Sequence, residues 1–350
     1  MFPTDAVIAV TYRCNARCTM CDIWKSDSSP AKELKSNDYE RLPTTLGNIN
    51  ISGGGPFLRN DLPEVIEVIT KRCSNARLVF SSNGLSPRLL EKVLPVVLKI
   101  NPNVGIRFSV HGIGDKHQEM IGIPGAFEKV MSSVSVASNI GVKDIGLAYT
   151  ATNKNLDQLL QIYSLAKERR IHFTFCGVAH NSEIDGYFTH SNEQIENLGL
   201  LGQQLNILIK EHLQTWNPNL LASAYFEYGI YSKERYKKRQ FNCGAAEVLF
   251  YLDPLGNVFS CNIANKRLGN IHEKDFGIIW NSAEADDSRV YAKNCPLQCW
   301  MLCTVSPYIK KHPFLPLWWI LVNKFKVTFG KEVIGNRIDN TTFKPKILDG

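Results

Sequence analysis

The sequence has no run of about 20 apolar residues, the length that a membrane-spanning helix requires. Its first residues lack the basic segment and long apolar core of a secretory signal peptide, so we expect a cytoplasmic protein. There is also no internal repeat and no low-complexity segment. Of the 350 residues 44% are hydrophobic and 21% are charged, which predicts an ordinary globular protein rather than a fibrous or disordered one.

The cysteines are the first positive feature. In a chain without a signal peptide, ten cysteines favour metal binding over disulfides. Three of them, Cys14, Cys18 and Cys21, form a CxxxCxxC run directly after an apolar segment. Such closely spaced thiolates must converge on one point, and three soft ligands suit an iron–sulfur cluster or, less well, a zinc ion. Three thiols leave one position of a four-iron cluster open for a substrate or cofactor.

Short β-rich segments alternate with amphipathic helical segments between about residues 6 and 178. Strands are predicted at residues 6–12, 48–52, 77–82, 104–110, 144–150 and 171–178, and helices at residues 61–73, 87–100, 126–140 and 156–170. This alternation predicts an α/β fold with a parallel sheet, in which ligands bind at the carboxyl ends of the strands. The cysteine run and several polar turns fall at those ends.

The CxxxCxxC run after a first strand, with Met20 before the third cysteine, resembles the signature of the radical S-adenosylmethionine (SAM) superfamily. The resemblance implies that family's partial (βα)6 barrel. It also implies that Cys14, Cys18 and Cys21 hold a 4Fe–4S cluster whose fourth iron chelates SAM. Reductive cleavage of SAM would then give a 5′-deoxyadenosyl radical that abstracts hydrogen from a substrate. A structural zinc loop is the alternative interpretation.

Turns after the next three strands resemble the SAM-binding motifs of the same family. Residues 52–56 (SGGGP) resemble a GGEP motif in which Gly55 replaces the usual Glu, and the following PFLRND also matches. Residues 81–84 (SSNG) end the third strand and residues 109–112 (SVHG) end the fourth. The resemblance predicts SAM contacts from the backbone of Met20 and from Gly53, Gly54, Gly55, Pro56, Ser82, Asn83 and Ser109.

Two further departures from the family pattern follow the fourth strand. His111 stands where relatives carry Asp, and Ile121 stands where Arg is common, within a stretch resembling GIGExHDxxRGxxGAF. His111 is the candidate catalytic residue, as a proton donor or ligand contact, and a purely structural histidine is the alternative.

Five more cysteines lie near the C-terminal end. Cys243 and Cys261 bracket a predicted hairpin with the spacing C-x12-G-x4-C, and Cys295, Cys299 and Cys303 follow at intervals of four. With the LGNI and IW landmarks between them, they resemble the SPASM/twitch extension of radical SAM enzymes, a small cysteine-rich α+β domain. The resemblance implies one auxiliary 4Fe–4S cluster held by Cys243, Cys261 and two of the last three cysteines. A zinc ribbon is the alternative, and Cys73 and Cys176 are predicted to be core thiols.

These features divide the chain into a core barrel (residues 1–190), a helical connector (191–240), a SPASM/twitch-like domain (241–305) and a basic tail (306–350). Helices are predicted at residues 192–213 and 219–240, and the polar segment 179–188 is predicted to face a substrate. In the tail, Trp318 and Trp319 lie next to Lys324 and Lys326. This pattern predicts either packing back over the barrel or reversible docking at the inner face of an anionic membrane.

The predicted function is that of a radical SAM enzyme of oxidoreductase, epimerase or maturase type. Its substrate is a small, carbohydrate-like molecule or a peptide, and an electron donor such as ferredoxin or flavodoxin is expected. The net charge of +7 comes mostly from the tail, and no nucleic acid is expected as a partner. The alternative is a non-catalytic iron–sulfur or zinc-binding protein descended from the family, which the departures at Gly55, His111 and Ile121 keep open.

Overall fold

The computed structural model describes residues 2–26, 29–177, 195–241 and 243–335. Within these residues nine strands form one sheet, in the order β6-β5-β4-β3-β2-β1-β7-β8-β9. The strands are β1 (Asp5–Thr11), β2 (Asn48–Gly53), β3 (Arg77–Ser82), β4 (Gly105–Ser109), β5 (Asp144–Ala151), β6 (His172–Gly177), β7 (Leu249–Leu252), β8 (Asn257–Phe259) and β9 (Arg267–Asn270).

Strands β1 to β6 are parallel, and each of β2 to β6 pairs with the strand that precedes it in the chain. The helices between them are α1 (Leu62–Arg72), α2 (Pro87–Ile100), α3 (Asp115–Ile121), α4 (Ala126–Ile140) and α5 (Leu159–Glu168). The predicted parallel α/β array is thus confirmed, and all six strand predictions are correct to within one residue at each end. The predicted helix at 156–170 begins instead as a 3-10 turn, Leu156–Gln158, before α5.

The two faces of the parallel strands carry different side chains. Ile51 on β2 and Phe80 on β3 are fully buried in the core that the strands form with α1 and α2. Because side chains alternate along a strand, Asn50 and Ser81 point to the opposite face, where the Ser81 hydroxyl donates to Asn50 Oδ1 at 3.1 Å. The helices therefore cover the apolar face, and a polar face is left for a ligand.

Two helices form the connector, α6 (Leu198–Leu213) and α7 (Pro218–Tyr236). Helix α6 begins later than predicted because Asn197 caps it, accepting a hydrogen bond from the Leu200 N–H at 2.9 Å. Helix α7 ends before the predicted residue 240, since Lys237 adopts the left-handed conformation with φ 52°.

The predicted C-terminal hairpin joins the barrel sheet. Strand β7 pairs in parallel with β1, with Asp5 opposite Leu249, and β8 and β9 continue the sheet as antiparallel strands. Asp253 forms the turn, because its carboxylate accepts hydrogen bonds from the N–H groups of Leu255 and Asn257. Helices α8 (Phe276–Trp280) and α9 (Ala283–Lys293) follow. Strand β9, at the LGNI landmark, and the pairing of β7 with β1 were not predicted.

The tail forms two helices, α10 (Leu302–Lys311) and α11 (Phe314–Thr328). Helix α11 packs on the α6–α7 pair, where the Trp319 ring lies 4.8 Å from that of Tyr228, centroid to centroid. No helix in the described part of the chain is both long enough and apolar enough to cross a membrane. The predicted substrate-facing segment 179–188 and residues 336–350 lie outside the described residues.

Candidate functional site

The first cysteine loop leaves β1 and is fastened to the end of α3. The N–H of Arg17 donates to the Ile121 carbonyl at 2.9 Å, and the N–H of Thr19 donates to the Met120 carbonyl at 3.0 Å. Gly122 follows α3 with φ 70°, and a Cβ there would lie 2.7 Å from the Arg17 carbonyl oxygen. The glycine at residue 122 is therefore required for steric reasons, because it allows α3 to approach the cysteine loop.

Met20 is buried and packs with Met120 next to Cys18. Its side chain thereby fixes the conformation of the loop between the second and third cysteines. The main chain of Met20, predicted to contact SAM, is held at the same place.

The three thiols lie in a low-polarity environment that suits a bound cluster. Burial raises the pKa of Cys14 and raises that of Cys21 to about 11. The pKa of Cys18 is raised well above its usual range by burial and by the nearby Cys21 and Cys14 sulfurs. None of the ten cysteines forms a disulfide. A thiol binds a metal in its deprotonated form, so these three groups release their protons when a positively charged group binds.

The zinc alternative requires ligands packed around one ion. In the described part of the chain, no three His, Cys, Asp or Glu side chains stand close enough to hold a single metal ion. The thiols nevertheless lie within electrostatic reach of one another. A multi-iron cluster separates its thiolate ligands more widely than one zinc ion does, so this donor set fits the cluster better.

The glycine turn after β2 is held against the end of β1. The N–H groups of Gly54 and Gly55 donate to the Thr11 and Arg13 carbonyls, each at 2.8 Å. A Cβ on Gly53 would lie 2.2 Å from the Thr11 carbonyl oxygen and one on Gly54 would lie 2.3 Å from that of Arg13, so neither position can carry a side chain. Gly55 differs, because its φ of −132° is ordinary and a Cβ would meet only the Leu58 side chain at 3.0 Å.

Pro56 begins the short 3-10 turn Pro56–Leu58 and is buried. Arg59, in the matching PFLRND run, is also buried and donates to the carbonyl of Val10 at 2.8 Å and to Asp61. This arginine was not singled out from the sequence. It links the end of β1 to the start of α1 and so stabilises the glycine turn that precedes it in the chain.

Asn83, predicted to contact SAM, contacts the cysteine loop. Its side-chain amide donates to Cys14 Sγ at 3.8 Å and to Asn15 Oδ1 at 2.9 Å. The Cys14 sulfur also accepts from the Ala16 N–H at 3.4 Å. Hydrogen bonds to sulfur stabilise the more negative state of an iron–sulfur cluster.

Ser82 lies on the helix-facing side of β3, where its Oγ accepts from the Gly84 N–H at 3.1 Å. With Gly55 and Asn83 it lines a small pocket. Its neighbour Ser81 points to the polar face instead, with Asn50 opposite. Leu78 and Phe80 are buried, and side chains alternate along a strand. This pattern would have identified Ser81 as the serine on the polar face.

His111 follows β4 and has a structural contact. Its Nδ1 accepts from the Thr150 N–H at 3.2 Å, and its own N–H donates to His117 Nδ1 at 3.0 Å. Burial, with a smaller contribution from His117, lowers the pKa of His111 to about 3, so the ring is neutral near pH 7. Its proton therefore lies on Nε2, the nitrogen left to donate to a ligand. Ser109 ends β4 on the same face as Arg107 and is partly exposed.

Three thiols of the second cysteine set share one buried group, and the other two interact with it. Cys243, Cys261 and Cys299 are buried in one small apolar cluster, and the Cys295 sulfur interacts electrostatically with each of them. A main-chain N–H, that of Ala264, donates to Cys261 Sγ at 3.2 Å. This arrangement provides the four soft ligands of a closed iron–sulfur site.

Cys303 packs elsewhere. It lies against the apolar group that also receives Cys14 and Cys21 from the first loop. Its sulfur nevertheless interacts electrostatically with those of Cys261 and Cys243 and, less strongly, with that of Cys176 on β6. Which two of the last three cysteines complete the ligand set therefore stays a prediction. Cys176, predicted to be a core thiol, is instead half-buried, and its sulfur lies 3.7 Å from the Thr150 hydroxyl.

Two family models match the chain. The radical SAM superfamily model matches residues 8–166, and the SPASM model, described as an iron–sulfur cluster-binding domain, matches residues 243–304. Among curated proteins, the AdoMet-dependent heme synthase of Methanosarcina barkeri is 24% identical over 291 residues, covering 79% of this chain and 81% of its own. The mycofactocin maturase MftC of Mycolicibacterium smegmatis is 23% identical over 286 residues, covering 79% and 69%.

Solved structures share the fold. SuiB of Streptococcus suis bound to S-adenosylmethionine matches with a TM-score of 0.60 at 16% identity, over 83% of this chain and 68% of that one. The structure titled anSMEcpe with bound AdoMet matches with a TM-score of 0.57 at 16% identity, over 82% of each chain.

The predicted barrel and the auxiliary domain are therefore both present, and the cofactors of the two families are 4Fe–4S clusters and SAM. The thiol sets described above lie inside the two matched regions, which together cover more than half of the sequence. The chain is a radical SAM superfamily protein with a C-terminal SPASM iron–sulfur domain.

Proposed function

We propose that this protein is an enzyme that reductively cleaves SAM and uses the 5′-deoxyadenosyl radical to abstract a hydrogen atom from its substrate. The observation that carries the proposal is the attachment of the Cys14–Cys21 loop and the Gly53–Gly55 turn to the same end of β1. That end lies between β2 and the auxiliary domain's strand β7. The names of the relatives, a heme synthase and a maturase, are also those of enzymes.

In this proposal Cys14, Cys18 and Cys21 hold the SAM-binding cluster. When bound, cluster and SAM together supply the radical that starts the reaction. The chain's own residues orient these groups. The Asn83 amide donates to Cys14 Sγ, and the side-chain-free turn at Gly53 and Gly54 lets a ligand approach the main chain. Neutral His111 offers an Nε2–H donor at the end of β4.

For the auxiliary cluster we propose Cys243, Cys261 and Cys299, which share one buried group, and Cys295, whose sulfur interacts electrostatically with all three. Cys303 is then a fifth, free thiol, which packs towards the first cysteine loop. A cluster with four thiolates has no position for SAM. We propose that it transfers electrons, with ferredoxin or flavodoxin as the external donor for the protein.

For the substrate we propose a small, polar, carbohydrate-like molecule. A small pocket lies where β6 ends, lined by Gly177, the paired Lys233 and Glu234, and Cys299. Elsewhere on the same sheet, the polar face of β2 and β3 carries amide and hydroxyl groups such as those of Asn50 and Ser81. Hydroxyl groups of a sugar-like molecule are suitable partners for such a surface. A peptide is the second candidate, since the matched SuiB and anSMEcpe structures include peptide complexes.

The test is anaerobic reconstitution, an iron count, and chromatography for 5′-deoxyadenosine after adding dithionite and SAM. We expect about eight irons per chain, four for each cluster. The triple variant Cys14→Ala/Cys18→Ala/Cys21→Ala should hold about four irons and release no deoxyadenosine. The pair Cys243→Ala/Cys261→Ala should also hold about four irons but still release it.

Cys73→Ala is the matched control, because this buried thiol lies far from both cysteine sets in the helix-side core. It should retain the wild-type iron content and activity. Clusters without SAM cleavage in the wild type would favour the non-catalytic alternative. Zinc in place of iron would contradict both.

A further inference from the structure

Helix α11 has an inner face that fastens it to the rest of the protein. Ile320 and Asn323 are buried, and the Trp319 ring lies 5.5 Å from Tyr225 and 4.8 Å from Tyr228, centroid to centroid. Lys324 extends inward, where its Nζ donates to the carbonyls of Leu213 at 2.5 Å and Thr215 at 2.7 Å. The position of the helix is therefore fixed by contacts on this face.

The outer face of α11 is apolar. Phe314, Trp318, Leu321 and Phe325 follow the spacing i, i+4, i+7 and i+11, which places them in one row along the helix. All four are exposed, Trp318 and Phe325 at 66% each and Phe314 at 85%. Exposed apolar rows of this size mark a surface that another body covers.

The same surface extends to neighbouring residues. Leu317 and Phe329 flank the row and are also exposed. Trp216, from the connection between α6 and α7, is 78% exposed, and the Lys324 ammonium lies 4.2 Å from its ring centre. We call these residues the apolar row: Trp216, Phe314, Leu317, Trp318, Leu321, Phe325 and Phe329.

The charged residues around the apolar row are mostly lysines. Lys310 and Lys311 end α10 immediately before it and are exposed, Lys326 lies on its flank, and Lys331 follows it. Between residues 302 and 335 the sequence has five lysines and a single acidic residue, Glu332. A surface with aromatic side chains in its centre and lysines at its border complements an anionic lipid headgroup layer.

We propose that the apolar row is a membrane-docking surface, on which α11 lies in the interface of an anionic bilayer. The helix is too short and too polar to cross the bilayer, but its length and its exposed apolar face suit a position parallel to the membrane plane. Trp318 and Trp216 would sit at headgroup depth, where tryptophan is enriched in membrane proteins. The lysines would contact the lipid phosphates.

Only one of the two adjacent tryptophans of α11 belongs to the apolar row. Trp318 and Trp319 are adjacent in sequence but face opposite ways, Trp318 outward and Trp319 into the α6–α7 pair. A change at Trp319 would disturb the fold. Only the outward residues report on docking.

The experiment is co-sedimentation of the reconstituted full-length protein with phosphatidylcholine vesicles, with and without phosphatidylglycerol. Wild type should pellet with the anionic vesicles, less so in high salt, and its tryptophan fluorescence should shift to the blue. The variant Trp318→Ser/Leu321→Ser/Phe325→Ser should bind at least about tenfold more weakly. Ile278→Ser/Val290→Ser, which removes exposed apolar residues elsewhere, should bind as wild type.

All variants should keep the wild-type melting temperature, because each change is at an exposed position. Failure of wild type to pellet with anionic vesicles would overturn the proposal, as would equal pelleting of wild type and the triple variant. A dimer of the wild type in solution that the triple variant abolishes, without vesicle binding, would show that a second copy covers the row and would also overturn it.

Discussion

At the scale of single residues, the three glycines of the turn differ in whether the backbone leaves room for a side chain. Gly53 and Gly54 have no room for a side chain, because the carbonyl oxygens of Thr11 and Arg13 occupy the space. Gly55 has room, although it is the position at which the family pattern has Glu. The absence of that carboxylate is therefore not imposed by the backbone of this protein.

Substitution at adjacent glycines should therefore have different effects. Gly54→Ala puts a Cβ 2.3 Å from the Arg13 carbonyl oxygen and should destabilise the protein by about 3 kcal/mol. Gly55→Ala should cost less than about 1 kcal/mol, since only a flexible Leu58 side chain must move. Urea unfolding of both variants measures the difference. Equal destabilisation would contradict this account of the turn.

Asn83 should tune the first cluster without holding it. Asn83→Leu removes the hydrogen bond to Cys14 Sγ, which stabilises the reduced, more negative cluster. The reduction potential should fall by roughly 40 mV, corresponding to about 1 kcal/mol for one electron. A redox titration followed by electron paramagnetic resonance measures the shift. Ser82→Ala, whose hydroxyl accepts from Gly84 instead, should leave the potential unchanged.

At the scale of elements, the connector helix α7 positions the auxiliary domain. Trp300 directly follows Cys299, and its ring lies against the backbone of Gly229 in α7, where a Cβ would be 1.9 Å away. Phe241 and Tyr225 complete the surroundings of this tryptophan, with ring centroids at 5.0 Å and 6.3 Å. The contact of one helix with one indole ring thus fixes the segment that carries two proposed ligands, Cys295 and Cys299.

Gly229→Ala should displace Trp300 and impair the auxiliary cluster. We expect about four irons per chain instead of about eight, with 5′-deoxyadenosine release retained. The control is Gly199→Ala on the exposed side of α6, where a Cβ meets nothing closer than 3.5 Å. That change should keep both clusters and stabilise the helix by about 0.5–1 kcal/mol. Full iron content in the Gly229→Ala protein would show that Trp300 does not position the cysteines.

At the scale of the whole molecule, one sheet carries both thiol sets. Strand β1 pairs with β2 of the barrel on one side and with β7 of the SPASM domain on the other. The hydroxyls of Tyr12 and Tyr251 lie 3.3 Å apart across this junction. The loop that follows β1 is therefore between the glycine turn and the auxiliary domain, which is the basis of the proposed function.

Two buried histidines should make the stability of the whole protein depend on pH. Burial lowers the pKa of His117 to about 4 and, together with His117, that of His111 to about 3, from the ordinary 6.5. The unfolded chain then binds more protons below pH 6.5, so stability is complete above that pH and is lost as the pH falls towards 4. Each histidine should cost about 2 kcal/mol between pH 7 and pH 5.

The measurement is urea unfolding at pH 7 and pH 5 for wild type and His117→Asn. The Asn Oδ1 can accept the His111 N–H as Nδ1 does, but it does not titrate. The variant should lose about 2 kcal/mol less than wild type on acidification. An identical loss in both proteins would show that His117 is not the titrating group.

The sequence by itself determined the local features of this protein. The six parallel strands could be predicted because alternation of apolar residues and the lengths between them are local properties. The same holds for the cysteine loop and the glycine turn, where spacing restricts the chemistry: three thiols within eight residues must meet, and Gly53 and Gly54 follow a strand end.

Only the tertiary structure decided which residues meet across the fold. Ser81, rather than Ser82, faces the polar side, Asn83 donates to Cys14, and Cys303 packs beside the apolar group that also contacts Cys14 and Cys21. The two faces of α11 also depend on what packs against it. These outcomes follow from pairings between distant segments, such as β1 with β7, whose energies come from buried contacts that no local spacing specifies.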